Sequence, residues 1–246
     1  MKLVIAIAGL MIVPLVAESG TLRLSWTGCP GTSAAVPGLT FDCDPQAHST
    51  YWLLSSFGLE DTVRGVTSAE GTVDFALTTS GSVPPFWHFE SGACNANQLQ
   101  FRDARPAVAC TGVSNTLCGI DGVSCGGLIT SYVVGAGGGL PANHARLHFT
   151  LPRGTSPVTL ASSLNHFGFG LVFSMDNSTS GVCSGCATTA AITWSEITFF
   201  DAANVPLKTL TASDPGSEAT AFANCTACGV VRLPARTWGL LKSLYR

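Results

Sequence analysis

The sequence predicts an all-β protein built as an antiparallel β-sandwich of the jelly-roll, immunoglobulin-like or cohesin-like type. About seven to ten short segments carry apolar residues with strand-like spacing. Turn-forming Gly, Pro, Asn and Asp residues separate these segments at intervals of roughly 8–15 residues. A helical period is nearly absent before the C-terminal segment. Because strands with one apolar face must bury it against another layer, we expect two packed sheets.

The chain is organised around residues 165–200. Four large apolar residues alternate with smaller ones in 166–174: Phe167, Phe169, Leu171 and Phe173. A period of two is typical of a strand that buries one face. A polar loop follows, then a short cysteine loop at 183–186 and a second β-rich segment at 191–200. We expect the two segments to form a central hairpin.

The segment 191–200 contains an irregularity. Its apolar set begins with Ile192 and Trp194 and continues with Ile197 and Phe199, which changes face midway. A β-bulge near Ser195 would explain the change, because one extra residue returns the following side chains to the buried face. Burial of both faces would explain it equally well.

The remaining strands follow the same logic. Residues 21–26 place Leu22, Leu24 and Trp26 on one face, whereas 51–57 is apolar on both faces, as in the central strand of a sandwich. Four further segments are predicted as strands: 73–77, 128–134, 145–151 and 229–233. Residues 92–139 are rich in Gly, Ser, Asn and Cys, so we expect mainly loops there.

Three regions divide the chain: a signal peptide at 1–19, a single β-sandwich domain at 20–236 and an amphipathic tail at 237–246. Lys2 precedes an apolar run from Leu3 to Ala17, the pattern of a secretory leader that is too short for a membrane anchor. In the tail, apolar residues recur with a helical period. We therefore expect a short C-terminal helix that docks on the sandwich or acts as an export tag.

Composition limits the functional classes. The chain has 246 residues, of which 46% are hydrophobic and 11% charged, with a formal net charge of −3. Such a chain has ample apolar surface to bury and is not a disordered segment. Its 12 basic residues form no cluster, so nucleic acid is not expected as a partner.

The cysteines indicate an oxidising compartment. An even number behind a signal peptide predicts five disulfides among Cys29, Cys43, Cys94, Cys110, Cys118, Cys125, Cys183, Cys186, Cys225 and Cys228. Adjacency in sequence suggests the pairs 29–43, 94–110, 118–125, 183–186 and 225–228. The alternative is a zinc site, because Cys183, Cys186, Cys225 and Cys228 form two Cys-x-x-Cys units, the ligand set of a zinc ribbon.

Several motifs together resemble a group of uncharacterised secreted bacterial proteins of similar length. These motifs are 41–43, 65–77, 85–89, 143–149, 183–186 and 237–246. The group has no known activity, so the resemblance implies a secreted domain and no chemistry. Residues 192–206 also resemble a late strand and turn of cohesin-type sandwiches, a likeness of fold alone.

Aromatic residues provide the candidate binding site. Tyr51, Trp52, Phe86 and Trp87 could form a platform for sugar rings if they are exposed on a sheet face; otherwise they belong to the core. A calcium site would need Asp42 and Asp44, with Asp61 as a further ligand, but no calcium-loop motif is present.

The sequence predicts no catalytic residues. Gly122 to Gly126 matches the nucleophile-elbow pattern by letter, but it lacks the strand and helix that the elbow requires. His144 and His148 have the spacing of a helical zinc pair, yet four residues along a strand span about 13 Å, too far for one ion.

We therefore expect a non-catalytic bacterial protein, secreted to the extracellular space or periplasm, with a structural or adhesion role. Its partner would be a polysaccharide or another envelope protein, and the mature chain would have no transmembrane helix. The alternatives are a carbohydrate-binding module that uses exposed aromatic residues and a zinc-binding protein.

Overall fold

The computed structural model describes residues 20–114, 118, 125–153, 156–178, 183–225 and 228. Within this part of the chain the fold is all-β, as predicted. The strands are β1 Thr21–Trp26, β2 Gly38–Leu39, β3 Thr50–Gly58, β4 Val63–Val66, β5 Ser68–Leu77, β6 Leu99–Arg102, β7 Leu128–Val134, β8 His144–Pro152, β9 Val158–Leu160, β10 Asn165–Ser174, β11 Ala190–Phe200, β12 Pro206–Thr211 and β13 Thr220–Ala223. Helical structure in the described residues consists of short 3₁₀ turns, at Pro45–Ala47, Pro85–Trp87 and Gly135–Gly138.

Two main sheets form the sandwich. The four-stranded sheet has the order β1-β3-β10-β6, and all its strand pairs are antiparallel. The larger sheet has the order β2-β13-β11-β5-β8-β7, with β12 also paired to β11. Its one parallel pair joins β13 to the two-residue strand β2. A separate ribbon, β4 with β9, completes the set.

The core lies between the inner faces of these two sheets. Aromatic rings meet across the layers: Phe169 of β10 contacts Trp194 of β11 and Phe149 of β8, with ring centroids 5.1 and 4.6 Å apart. Phe57 of β3 lies 5.1 Å from Phe199 of β11. Leu22, Leu24 and Trp26 are buried, as are Leu147, Phe149 and Leu151, which confirms the predicted inner faces of β1 and β8.

The predicted central hairpin is wrong. β10 pairs with β3 and β6, whereas β11 pairs with β5, β12 and β13. The two strands therefore belong to opposite sheets. Both were correctly identified as strands with a buried face, but such a face packs equally well against a partner across the core. The connection between them crosses from one layer to the other. Phe167 was wrongly placed on the inner face of β10: the pairing with β3 changes register between Phe167 and Gly170, so Phe167 lies on the outer face in a separate small cluster.

The predicted bulge is confirmed. The pairing of β11 with β5 changes register between Trp194 and Glu196. Trp194 and Ile197 are both fully buried, because Ser195 is the extra residue that returns the strand to its inner face. The Ser195 hydroxyl donates a short hydrogen bond to Asp74 on β5, which fixes the bulge to the neighbouring strand.

All ten cysteines form disulfides, but three of the predicted pairings are wrong. The pairs are Cys29–Cys110, Cys43–Cys186, Cys94–Cys183, Cys118–Cys125 and Cys225–Cys228. Only the last two agree with adjacency in sequence. The other three join segments separated by 81, 143 and 89 residues, because the fold brings loops from distant parts of the chain together.

Some predictions fall on residues outside the described part. These are the signal peptide at 1–19, the strand at 229–233 and the tail at 237–246. Among the described residues, no helix has the length and apolar character needed to cross a membrane.

Candidate functional site

The candidate site is the outer face of the four-stranded sheet around Trp52. Trp52 lies on β3, where Leu53 and Phe57 point into the core and are buried. Because side chains alternate along a strand, Trp52 points away from the core. Its side chain is 37% exposed. An indole that remains this accessible on a sheet face offers a flat apolar surface to a ligand.

Strand pairing places a defined set of residues beside Trp52. Across the sheet, Trp52 is opposite Val172 of β10, and Val172 is opposite Gln100 of β6. In the neighbouring row, Leu54 is opposite Gly170, which is opposite Arg102. The face therefore presents one aromatic ring on β3 and two polar side chains on β6, with small or apolar residues between them.

Gly170 is buried beneath the side chains of Trp52, Leu54 and Arg102. A methyl group at this position would lie 3.8 Å from Cε3 of Trp52, 3.5 Å from Cβ of Arg102 and 3.3 Å from Cδ2 of Leu54. These contacts show that the glycine is flanked by Trp52 on one side and Arg102 on the other. Because Gly170 has no side chain, the Trp52 ring and the Arg102 side chain lie close together above it, and we call the surface that they form the Trp52–Arg102 slot.

The polar side of the slot is held in place by a hydrogen bond. Nη2 of Arg102 donates to Oε1 of Gln100 at 2.5 Å. Both side chains are exposed. Gln100 keeps its amide N–H groups, and Arg102 keeps further guanidinium N–H groups, so both are able to donate to a ligand.

A second small core borders the slot and stiffens it. Leu54 and Phe167 on the same face are buried against Val113 and the Cys29–Cys110 disulfide. The amide of Cys29 also donates to the carbonyl of Ala109 at 2.9 Å. The loop that carries residues 109–113 therefore covers one end of the outer face and leaves the end with Trp52 open.

The other predicted platform residues do not join Trp52. Trp87 and Phe86 are fully buried, and Nε1 of Trp87 donates to the carbonyl of Gly185 at 3.2 Å. Tyr51 stacks on Phe41 with centroids 4.7 Å apart, and its hydroxyl accepts the amide of Asp42. Three of the four aromatic residues are thus structural, and Trp52 alone fulfils the prediction of exposure.

The signal for the polar half of the slot was present in the sequence. Residues 99–102 alternate apolar and polar, with Leu99 buried and Phe101 packed on the core, while Gln100 and Arg102 face out. This strand has only four residues and lies inside a segment predicted to be loops, so its alternation covers two repeats, which are too few to predict a strand.

A cluster of Ser174, Asp176 and His48 lies at the C-terminal end of β10 in the same sheet. Asp176 accepts from Nδ1 of His48 at 2.9 Å and from the hydroxyl of Ser174 at 2.8 Å. These hydrogen bonds, His48 first, lower the pKa of Asp176. Ser174 contacts the carboxylate rather than the imidazole, so the cluster lacks the contact between nucleophile and base that a catalytic triad requires.

The carboxylates considered for calcium have local structural roles. Asp42 Oδ1 accepts the amide of Asp44, and Asp44 Oδ1 accepts the amide of Gln46, which caps the 3₁₀ turn Pro45–Ala47. Asp61 follows the opposite end of β3. Since β3 has nine residues, its ends are about 25–30 Å apart, and the three carboxylates do not converge.

The cysteines considered for zinc are all oxidised. Cys183 and Cys186 bond to Cys94 and Cys43, and Cys225 bonds to Cys228. Sulfurs in disulfides are not thiolates, which are the form that binds zinc. Asp103, Cys118 and Cys125 have ligand atoms within 4.8 Å of one another, but Cys118 and Cys125 are likewise joined.

Two groups outside the slot, those of the buried His166 and the partly buried Tyr132, have shifted pKa values. Burial lowers the pKa of His166, whose Nε2 donates to the carbonyl of Ala161 at 2.8 Å. Burial, and then the nearby Glu90, raise the pKa of Tyr132, whose hydroxyl donates to the carbonyl of Trp87 at 2.8 Å. Each group is held by a backbone carbonyl within the fold, which is a structural arrangement.

The predicted histidine pair is placed as expected. His144 and His148 lie on β8, four residues apart. His144 bonds to the side chain of Asn143, and His148 lies 3.3 Å from the hydroxyl of Thr72. Of the nucleophile-elbow pattern, Ser124 lies outside the described residues, and Cys125 is part of a disulfide.

No family model, curated protein or solved structure matches this chain.

Proposed function

We propose that this protein is an extracellular, non-catalytic β-sandwich module that binds polysaccharide at the Trp52–Arg102 slot. The observation that carries the proposal is the exposure of Trp52 on a sheet face beside the exposed side chain of Arg102. A pyranose ring has an apolar face of C–H groups and a rim of hydroxyls. The slot offers an apolar ring for the face and amide and guanidinium donors for the rim.

The environment of Trp52 supports a binding role over a structural one. Trp26, Trp87 and Trp194 are fully buried, where each stabilises the core. Trp52 leaves a large apolar area in water, and an exposed aromatic residue on a rigid face is a common feature of recognition sites. The backbone of β3 is held by pairing with β1 and β10, and the Cys29–Cys110 disulfide holds the adjacent loop. Binding of a ligand at Trp52 therefore requires little ordering of the backbone.

The compartment also fits. Five disulfides and the absence of a spanning helix from the described residues are consistent with a protein of an oxidising compartment. We propose that the predicted leader at 1–19 directs secretion. A module that binds polysaccharide outside the cell would serve the adhesion role expected from the sequence, with the glycan rather than an envelope protein as its partner.

The test is affinity electrophoresis in native gels that contain soluble polysaccharides: a neutral β-glucan, a galactomannan and polygalacturonate. We expect at least one polymer to retard the wild type and Trp52→Ala to abolish the retardation. Leu207→Ala is the matched control, because Leu207 is also 37% exposed but lies on β12 of the other sheet. Equal retardation of wild type and Trp52→Ala, or none with any polymer, would refute the proposal.

A further inference from the structure

We infer that the bound saccharide is anionic, with a uronic acid whose carboxylate binds Arg102. This inference rests on the proposed function and specifies its ligand. In the slot, the Trp52 ring and the side chain of Arg102 lie close together above Gly170. To bind a neutral sugar, a site needs only hydrogen bonds to the sugar hydroxyls. The exposed Arg102 beside the aromatic ring adds a positive charge, which favours a sugar that carries a negative charge.

The dimensions suit one sugar unit. Trp52 and Arg102 lie on β3 and β6, which are separated by β10, so their backbones are about 10 Å apart. A pyranose ring is about 5 Å across, and the carboxyl carbon attached to C5 extends further. With its ring on Trp52 and its chain axis along the face, a uronate directs its carboxylate over Gly170 toward the arginine.

The charges around the slot favour an anion. Strand pairing aligns Trp52 with Val172 and Gln100, and Leu54 with Gly170 and Arg102. Among these paired residues, Arg102 is the one with a charged side chain. The nearest acidic residue in sequence, Asp103, accepts the amide of Gly127 and points to the other face, as alternation along the chain requires. Asp176, near the end of β10, is engaged by His48 and Ser174.

Arginine is well suited to this role. Its planar guanidinium can donate two parallel hydrogen bonds to one carboxylate. The bond to Gln100 at 2.5 Å orients the group and uses one of its five N–H donors. This side chain is exposed, and its hydrogen-bond partner among the described residues is the neutral amide of Gln100. Within the described part of the chain, no salt bridge to a carboxylate competes for Arg102.

The test compares polygalacturonate with its fully methyl-esterified form, which keeps the ring and removes the charge. We expect the wild type to bind polygalacturonate, measured by titration calorimetry, and to bind the ester at least tenfold more weakly. Arg102→Gln should weaken binding to polygalacturonate by about 10- to 100-fold, since hydrogen bonds to a charged group contribute about 1.5–3 kcal/mol. Arg64→Gln is the matched control, because Arg64 is an exposed arginine on β4, outside this sheet.

The outcomes separate the inference from the proposed function. Equal affinity for the acid and the ester, with Trp52→Ala still abolishing both, would refute the anionic ligand and leave the saccharide site intact. Binding to dextran sulfate that depends on Arg102, without binding to polygalacturonate, would show a sulfate ester and also refute the uronate. If the wild type bound none of these polymers, both the uronate inference and the proposed saccharide site would be refuted. Retention of affinity for polygalacturonate in Arg102→Gln would refute the assigned carboxylate contact.

Discussion

Phe169 and Trp194 meet edge to face at the centre of the sandwich, with ring centroids 5.1 Å apart and planes at 79°. Phe169 belongs to the four-stranded sheet and Trp194 to the larger one. Both side chains are fully buried. This contact therefore joins the two layers directly.

Replacing Phe169 with alanine should lower the free energy of unfolding by about 3–5 kcal/mol, because the change removes buried area and leaves a cavity between the layers. Urea denaturation monitored by circular dichroism measures this. The control Leu207→Ala, at a position 37% exposed, should change the value by less than about 1 kcal/mol. Equal effects of the two substitutions would show that the layers do not pack through Phe169.

Gly71 is required by its neighbours rather than by its own backbone. A methyl group there would overlap the Phe149 ring and lie 2.9 Å from the carbonyl oxygen of Glu196. We expect Gly71→Ala to cost about 1–3 kcal/mol through overpacking. Gly81→Ala provides the comparison, since open space surrounds that position. Thermal melting of both variants decides, and a neutral Gly71→Ala would contradict the close packing of β5 on β8.

The strands were predictable from sequence, but their pairing was not. Period-two alternation correctly located β1, β5, β8, β10 and β11, because burial of one face leaves its mark on every second residue. The apolar segments 51–57 and 128–134 located β3 and β7. The pattern records which side is buried and not what covers it. Phe169 and Trp194 therefore suggested a hairpin, although they face each other across the core.

The disulfides show the same limit. Cys43 and Cys186 are bonded although 143 residues separate them, and nothing in the local sequence of either marks the other. Cys118 and Cys125, only 7 residues apart, were paired correctly from adjacency. Proximity in sequence predicts a disulfide when the loop is short enough to close on itself and fails when tertiary structure brings the sulfurs together.

Loss of the Cys43–Cys186 bond should destabilise the domain more than loss of the Cys118–Cys125 bond. In the chain-entropy model a cross-link that closes a longer loop restricts the unfolded chain more, so we expect up to about 5 kcal/mol for the first bond and roughly 2 kcal/mol for the second. Urea denaturation of the two double Cys→Ala variants measures this. Peptide mapping without reduction should recover a fragment that joins residues 43 and 186; a fragment that joins 183 to 186 would contradict the pairing.

His166 should make stability depend on pH in the mildly acidic range. Burial lowers the pKa of its ring in the folded protein, whereas the unfolded ring titrates near about 6.5. As the pH falls below that value, the unfolded state binds a proton that the folded state does not, so the free energy of unfolding decreases, with a slope of at most about 1.4 kcal/mol per pH unit. Above about pH 7 this contribution is constant.

The variant His166→Phe isolates this effect, because a phenyl ring can keep the contact with Phe57, whose centroid is 5.2 Å from the imidazole. Urea denaturation at pH 7.5 and pH 5.5 should show a smaller loss of stability in the variant than in the wild type. The same loss in both proteins would contradict a neutral, buried His166.

Half of the candidate site could be predicted from sequence. The aromatic residues at 51, 52, 86 and 87 were predicted as a platform. Sequence alone did not show which of them would be exposed, because this depends on which part of the outer sheet face the loop with residues 109–113 covers. Arg102 and Gly170 could not be placed beside it, since three strands distant in sequence must pair in register before they become neighbours.

Intrinsic fluorescence provides the most direct test of saccharide binding at Trp52. Among the described residues Trp26, Trp87 and Trp194 are fully buried, so of the described tryptophans it is Trp52 whose emission a ligand on the outer face should alter. Titration of the wild type with oligogalacturonate should change the emission in a saturable manner, and Trp52→Phe should abolish that change while its far-ultraviolet circular dichroism stays the same. An equal change in both proteins, or none in the wild type, would contradict the proposed site.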